Sequence, residues 1–177
     1  HRTAMAAALG LGLIVLACIA APFYAKYVAH TDPFGSNLDG QIMLHGKLVP
    51  VMQPSPTGLG MTPIGPTWRG QYLLGADNQG RDVAARLLYG GRNSLLIALG
   101  STMICLVLAG LVGVVAGFSG GWIDTVLARA LDVLWAFPVY MLAISLSVVL
   151  ISHGLKLGPI TINADSLLIP ITIIGVV

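Results

Sequence analysis

Glutamate is missing from this chain: all seven acidic residues are Asp. That removes a catalytic Glu and every Glu-dependent motif. Charge of either sign is scarce, at 9% of residues against 56% hydrophobic, and mean hydropathy is +0.87. Ordinary soluble domains carry about 25% charged residues. A chain this poor in charge cannot cover a water-facing surface, which makes it an integral membrane protein. The net charge of +2 comes without a basic run, which argues against a nucleic-acid partner. There are two cysteines, Cys18 and Cys105, each inside an apolar run. They read as unrelated membrane thiols and do not report a redox compartment. The four histidines, His1, His30, His45 and His153, have no metal-ligand spacing, so no metal site is expected.

What is present is organised by hydropathy. Residues 4–25 carry no charge and are flanked by Arg2 and Lys26. This is long enough for a spanning helix of roughly 20 residues and longer than the apolar core of a signal peptide, about 7–15 residues. We take residues 1–27 as the first transmembrane helix. Residues 28–80 hold six of the ten prolines. Proline breaks a helix interior, and irregular backbone finds no hydrogen-bond partners in hydrocarbon. This segment therefore belongs in water or against protein. Within it, "QIMLHGKLVPVM" reads as two extended pieces around His45-Gly46, a hairpin signal, with Pro50 confining the second piece to an edge.

Residues 94–123 are uncharged and hold a second span that ends at Gly120-Gly121. A third apolar run covers residues 133–152, its helix starting near Asp124, and a fourth begins near Leu167. Eleven residues from Leu167 to Val177 are too few to span, so more protein is expected after Val177. Residues 94–177 thus read as a transmembrane core with spans 2, 3 and the start of 4. Lys47, Arg69, Arg81, Arg86 and Arg92 precede the second span, and Arg129 follows it. The loop that holds the first group is too long for positive-inside counting, which leaves the orientation open.

The charge that does occur is gathered in "LLGADNQGRDVAARLLYGGRNSLL", residues 73–96, which holds two of the seven acids and three of the six arginines. At helical spacing Asp82, Arg86 and Tyr89 share one side, with Val83, Ala84, Leu87 and Leu88 on the other. Asp82 and Arg86 form an i,i+4 pair of opposite sign. Residues 81–93 therefore read as an amphipathic interfacial helix, with Asp77 or Asn78 as its cap and Gly90-Gly91 weakening its end. Two roles remain open: a helix lying on the membrane surface, or a charged mouth or gate built from Asp77, Arg81, Asp82, Arg86 and Arg92. Catalysis is excluded, because no nucleophile constellation accompanies the charges. Gly75 and Gly80 have nearly the spacing of a phosphate-binding P-loop, but Arg81-Asp82 stand where Lys and Ser or Thr are needed. No nucleotide site is expected in this chain.

Two further features lie downstream. Ala109, Gly113, Gly117 and Gly121 form a small-residue ridge, a helix-packing signal. In "DTVLARALDVLWAFP", Asp124, Arg129 and Asp132 supply polar groups near a membrane boundary, where charge costs less than at the centre. They read either as a paired interfacial set or as part of a polar pathway. Pro138 withholds a backbone donor and predicts a kink.

These residues together resemble a known family. The run Gly75, Asp77, Gly80, Arg81, Asp82, Arg86, Tyr89, Gly90, Arg92 and Ser94 is followed by Gly120, Gly121, Trp122, Asp124, Arg129, Asp132 and Pro138. It is similar to the pattern of the dipeptide/oligopeptide/nickel ABC-importer permeases, more narrowly the second, C-type, of their two permease subunits. The resemblance covers residues 73–152. It implies a type I ABC-importer transmembrane subunit, all-α, with about six spans in the full chain and three and a part here. It implies a cytoplasmic N-terminus, an extracytoplasmic loop between spans 1 and 2, and residence in the bacterial inner membrane. The implied partners are a homologous second permease, two ATPase subunits that hold ATP and Mg, and an extracytoplasmic substrate-binding protein. This chain would hold no cofactor. Asp77, Arg81, Asp82, Arg86 and Arg92 would line the outer mouth, and Asp124, Arg129 and Asp132 would lie on the cytoplasmic side. Ala76 departs from the usual Thr or Ser. The ATPase-coupling motif would fall after Val177. A secondary transporter or channel is the alternative reading; it predicts charges in mid-span, where this chain has none.

Overall fold

The computed structural model describes residues 1–44, 46–55, 58–136, 138–153, 155–157, 160–163 and 166–176. Two compact units divide the chain between Ser94 and Leu95.

In the first unit, α1 (Arg2–Ile19) is an apolar helix whose large side chains are exposed all round, including Leu9, Leu13 and Leu16. Such a helix is stable only with lipid or protein around it. A short turn, α2 (Ala21–Phe23), leads into a π-helical stretch (Tyr24–Ala29) that ends at His30 in the left-handed conformation. Ala21, Ala25 and Ala29 are buried, at four-residue spacing.

The proline-rich segment is folded. Strands β1 (Gln41–Leu44) and β2 (Lys47–Pro50) pair antiparallel, with Leu44 opposite Lys47 and Gln41 opposite Pro50. This sheet has two strands, so Pro50 sits on an edge, where a proline is tolerated. Strands β3 (Met52–Pro54) and β4 (Met61–Pro63) form a second antiparallel pair. Successive backbone bonds stitch the two pairs together: Val51 N–H to the Gly40 carbonyl, Ile64 N–H to Val51, and Ala76 N–H to Ile64, each 2.8–2.9 Å. Between them lies a small core of Ile42, Val51, Ile64 and Tyr72, flanked by Leu44, Val49 and Ala76. Each buried aliphatic side chain there contributes about 1.5–3 kcal/mol. That explains how a stretch with so many prolines holds a defined shape.

Helix α3 runs without a break from Val83 to Ser119, 37 residues. The sequence reading placed a separate interfacial helix over 81–93. Instead Arg81 lies in the loop before the helix, and α3 continues through Gly90-Gly91. Each glycine costs about 1 kcal/mol relative to Ala, and that is too little to interrupt a long cooperative helix. At 1.5 Å per residue α3 is about 55 Å long, well beyond the roughly 30 Å hydrocarbon core. The uncharged part from Ser94 onward can span alone, and Arg86 and Arg92 need not enter lipid.

The second unit continues α3 from Leu95. Gly120 and Gly121, at φ +59° and +53°, turn the chain into α4 (Gly121–Ala136). Gly121 therefore opens α4 and is not part of the α3 ridge. Helix α5 (Val139–His153) follows Pro138, whose carbonyl accepts from the N–H groups of Met141 and Leu142. The third run is thus two helices with Pro138 between them. A short antiparallel pair, β5 (Leu155–Leu157) and β6 (Ile160–Ile162), precedes α6 (Leu168–Val176). Among the described residues two helices, Arg2–Ile19 and Val83–Ser119, are long and apolar enough to cross a membrane.

Candidate functional site

The charged stretch folds into a closed turn at the start of α3. Asp77 organises it. Its Oδ1 accepts the N–H groups of Gln79 (2.9 Å) and Arg81 (3.0 Å), and its Oδ2 pairs with Arg81 Nε at 2.8 Å and Arg86 Nε at 3.6 Å. The backbone closes the loop as well, with Asp77 N–H to the Arg81 carbonyl and Gly80 N–H to the Asp77 carbonyl. Burial alone would raise the Asp77 pKa. The N–H groups of Arg81 and Gln79, then the Arg81 guanidinium, outweigh it and hold this carboxyl below its ordinary value. The Arg81 and Asp77 side chains remain partly exposed, and Arg86 more so. They form one outward-facing charged group.

Asp82 has a different environment. It is fully buried. Its Oδ1 accepts Ala84 N–H (2.9 Å) and Ala85 N–H (3.1 Å), which caps α3; its Oδ2 accepts Tyr72 N–H (2.9 Å) and the Thr31 hydroxyl (3.3 Å). The cap is therefore Asp82, and the expectation of Asp77 or Asn78 is corrected. A cap must sit immediately before the first helical turn, and Asp77 is held in the preceding loop. The expected Asp82–Arg86 pair does not form either: Arg86 reaches Asp77 and donates Nη1 to the Pro33 carbonyl at 3.1 Å. Arg92 forms no hydrogen bond or ion pair with the described residues.

Tyr72 locks the turn from below. It is buried, its hydroxyl donates to the Gly80 carbonyl (3.0 Å) and it accepts from Asn37 Nδ2 (2.9 Å). Burial first, with the charges of Asp82 and Asp77 adding, pushes its phenol pKa up, against the Asn37 hydrogen bond. Gly75 (φ +86°) and Gly80 (φ +72°) are required here: a Cβ on Gly75 would lie 2.7 Å from the Ile64 carbonyl oxygen, and one on Gly80 would overlap the Asn37 carbonyl. Sequence reading missed Thr31, Asn37 and Tyr72. They lie 51, 35 and 10 residues from the groups they bond, and neither periodicity nor a local motif marks such long-range partners.

In the second unit, Arg129 Nη1 lies 3.3 Å from Asp132 Oδ2, with the side chains 80% and 68% exposed. A pair this open contributes little to stability. Asp124, in the first turn of α4, borders an apolar groove of about 490 Å³ between α3 and α4, with Ala109 and Gly113 on the opposite wall. A Cβ on Gly113 or Gly117 would meet nothing within 4 Å, so no described residue covers that part of the ridge. Close packing occurs elsewhere on α3. Gly175 of α6 stands against Ile104 and the Ser101 carbonyl, and Gly100 against Ile171, at 2.8–3.0 Å from a notional Cβ. Among the described residues no cluster of three His, Cys, Asp or Glu side chains forms, and Cys18 and Cys105 are free thiols. His45 lies outside the described residues.

No family model matches the chain. Individual proteins do. The di/tripeptide transport system permease protein of Pseudomonas aeruginosa is 38% identical over 89 residues, 48% of this chain and 29% of that protein. The chain is related to the permeases of peptide transport systems. The dipeptide transport system permease protein of Alkalihalophilus pseudofirmus is 35% identical over 106 residues, 60% of this chain and 32% of that protein. The glutathione transport system permease protein of Pectobacterium atrosepticum is 32% identical over 138 residues, 78% of this chain and 38% of that protein. The chain thus spans about a third of the length of the curated relatives it matches. Those relatives are permeases by name.

Proposed function

We propose that this chain is part of the C-type permease subunit of an ATP-driven ABC importer that moves di- or oligopeptides into the cell. The observation that carries the reading is the similarity to several peptide-transport permeases. Two apolar helices of membrane length support it. In this reading the protein is a multi-pass subunit of the bacterial cytoplasmic membrane. The module of residues 28–80 and the Asp77–Arg81–Arg86 turn face the exterior and receive a substrate-binding protein. The Gly120-Gly121 turn, with Asp124, Arg129 and Asp132, faces the cytoplasm. Solute passes by alternating access between this subunit and a homologous permease, and two ATPases bind ATP and Mg to drive it. Proline at 138, between α4 and α5, gives the place where those two helices change direction. The uncovered Gly113 and Gly117 fit a helix from elsewhere in the assembled permease.

The full-length permease, extracted in mild detergent with an affinity tag, should bring down one homologous permease and two ATPase subunits in stoichiometric amounts. Recovery of the tagged permease alone, under conditions that preserve other importers, would count against the assembly.

A further inference from the structure

The five candidate mouth residues do not share one role. Asp77, Arg81 and Arg86 reach solvent, whereas Asp82 is fully buried and cannot touch a solute or a docking protein. Its two oxygens face different ways. Oδ1 serves the first turn of α3 through Ala84 and Ala85, while Oδ2 holds Tyr72 and Thr31, which belong to the proline-rich module. Around this carboxylate the same segments are bonded again. Asn37 N–H and the Ser36 hydroxyl donate to the Gln79 carbonyl, Asn37 Nδ2 donates to the Tyr72 hydroxyl, and Arg86 donates to the Pro33 carbonyl.

We propose that Asp82 is a positioning residue that makes the module of residues 28–80 and the start of α3 one rigid piece, so that force applied to the module is delivered to α3. Resting on the importer reading, this assigns Asp82 a coupling role without contact to the solute. The chemistry allows its two functions to be separated. Asparagine caps a helix as well as aspartate does, so Asp82→Asn can keep its carbonyl oxygen on the Ala84 and Ala85 N–H groups. Its amide nitrogen is a donor and cannot accept from Tyr72 N–H, although it can donate to the Thr31 hydroxyl with the direction of that bond reversed. The cap survives and the bond to Tyr72 is cut. A hydrogen bond to a charged group is worth roughly a factor of ten or more in an equilibrium constant.

The test uses the full-length permease in its assembled complex, with two readouts. In amide hydrogen exchange, Asp82→Asn should speed exchange at Tyr72 by about tenfold or more while Ala84 and Ala85 stay protected. In ATP-driven uptake of a labelled dipeptide, the maximal rate should fall by about tenfold with the half-saturation concentration unchanged. Thr31→Val, which removes one arm of the tie and leaves the cap, should shift both readouts the same way by less, and it carries the test if Asp82→Asn does not insert. Unchanged exchange at Tyr72, or full uptake despite rapid exchange there, would overturn the coupling role. A wild-type complex with no ATP-driven uptake would instead refute the importer reading, and the exchange arm would still decide whether the tie exists.

Discussion

Asp77 has the most specific electrostatic setting in the first unit. Its carboxyl is held below its ordinary pKa, with burial opposing and the Arg81 and Gln79 N–H groups and the Arg81 guanidinium prevailing. A depressed carboxylate contributes stability that is present above its unfolded-state pKa and lost as pH falls through the folded one. Asp77→Asn should therefore lower the unfolding temperature of the module at neutral pH; the gap to wild type should begin to narrow below about pH 4, where the unfolded carboxyl starts to bind its proton, and close only as pH falls through the lower folded-state pKa. Emission from Trp68, which is 75% exposed and forms a backbone bond to Leu73, offers a local probe. A gap that persists at acid pH would assign the effect to shape and not to charge. At this scale the sequence was partly legible. The clustering of charge in residues 73–96 pointed to the turn, but which carboxylate caps α3 depended on Thr31 and Tyr72. The helical wheel could not see them, since it treats residues 81–93 as an isolated helix.

At the scale of elements, α3 decides the architecture. Its start was misplaced in the sequence reading because Gly90-Gly91 looked like a boundary, whereas 37 continuous helical residues outweigh two small propensity penalties. Its end was legible, because consecutive glycines readily take the positive φ that ends a helix, and Gly120 and Gly121 both do so. The small-residue ridge at Ala109, Gly113 and Gly117 was also visible, yet the close contact within this unit is at Gly100 and Gly175. A regular spacing shows that a helix can approach, but not which helix does. Gly175→Leu should disrupt the packing of α6 on α3 and lower the melting temperature of the detergent-solubilised protein by several degrees, a loss of about 1–3 kcal/mol for overpacking. Gly117→Leu should leave this helix pair unchanged, since its Cβ meets nothing. Equal losses from both substitutions would contradict the assignment of the contact.

At the scale of the whole molecule, composition alone identified a membrane protein, because 9% charge cannot clothe a soluble surface. The module of residues 28–80 was harder to read. Its hairpin was marked by two short extended pieces around His45-Gly46, but its core of Ile42, Val51, Ile64 and Tyr72 joins positions too far apart for any local pattern. The proposed substrate class rests on relatives that this chain matches over about a third of their length, so transport itself is the decisive observation. The full-length protein, reconstituted into liposomes with the homologous permease, ATPases and binding protein proposed for it, can be loaded with ATP and Mg on the ATPase side and given a labelled dipeptide on the other. The account predicts accumulation against a gradient that requires ATP hydrolysis and stops when the binding protein is omitted. Dipeptide flux of the same size without ATP, driven by an ion gradient or by diffusion alone, would contradict it.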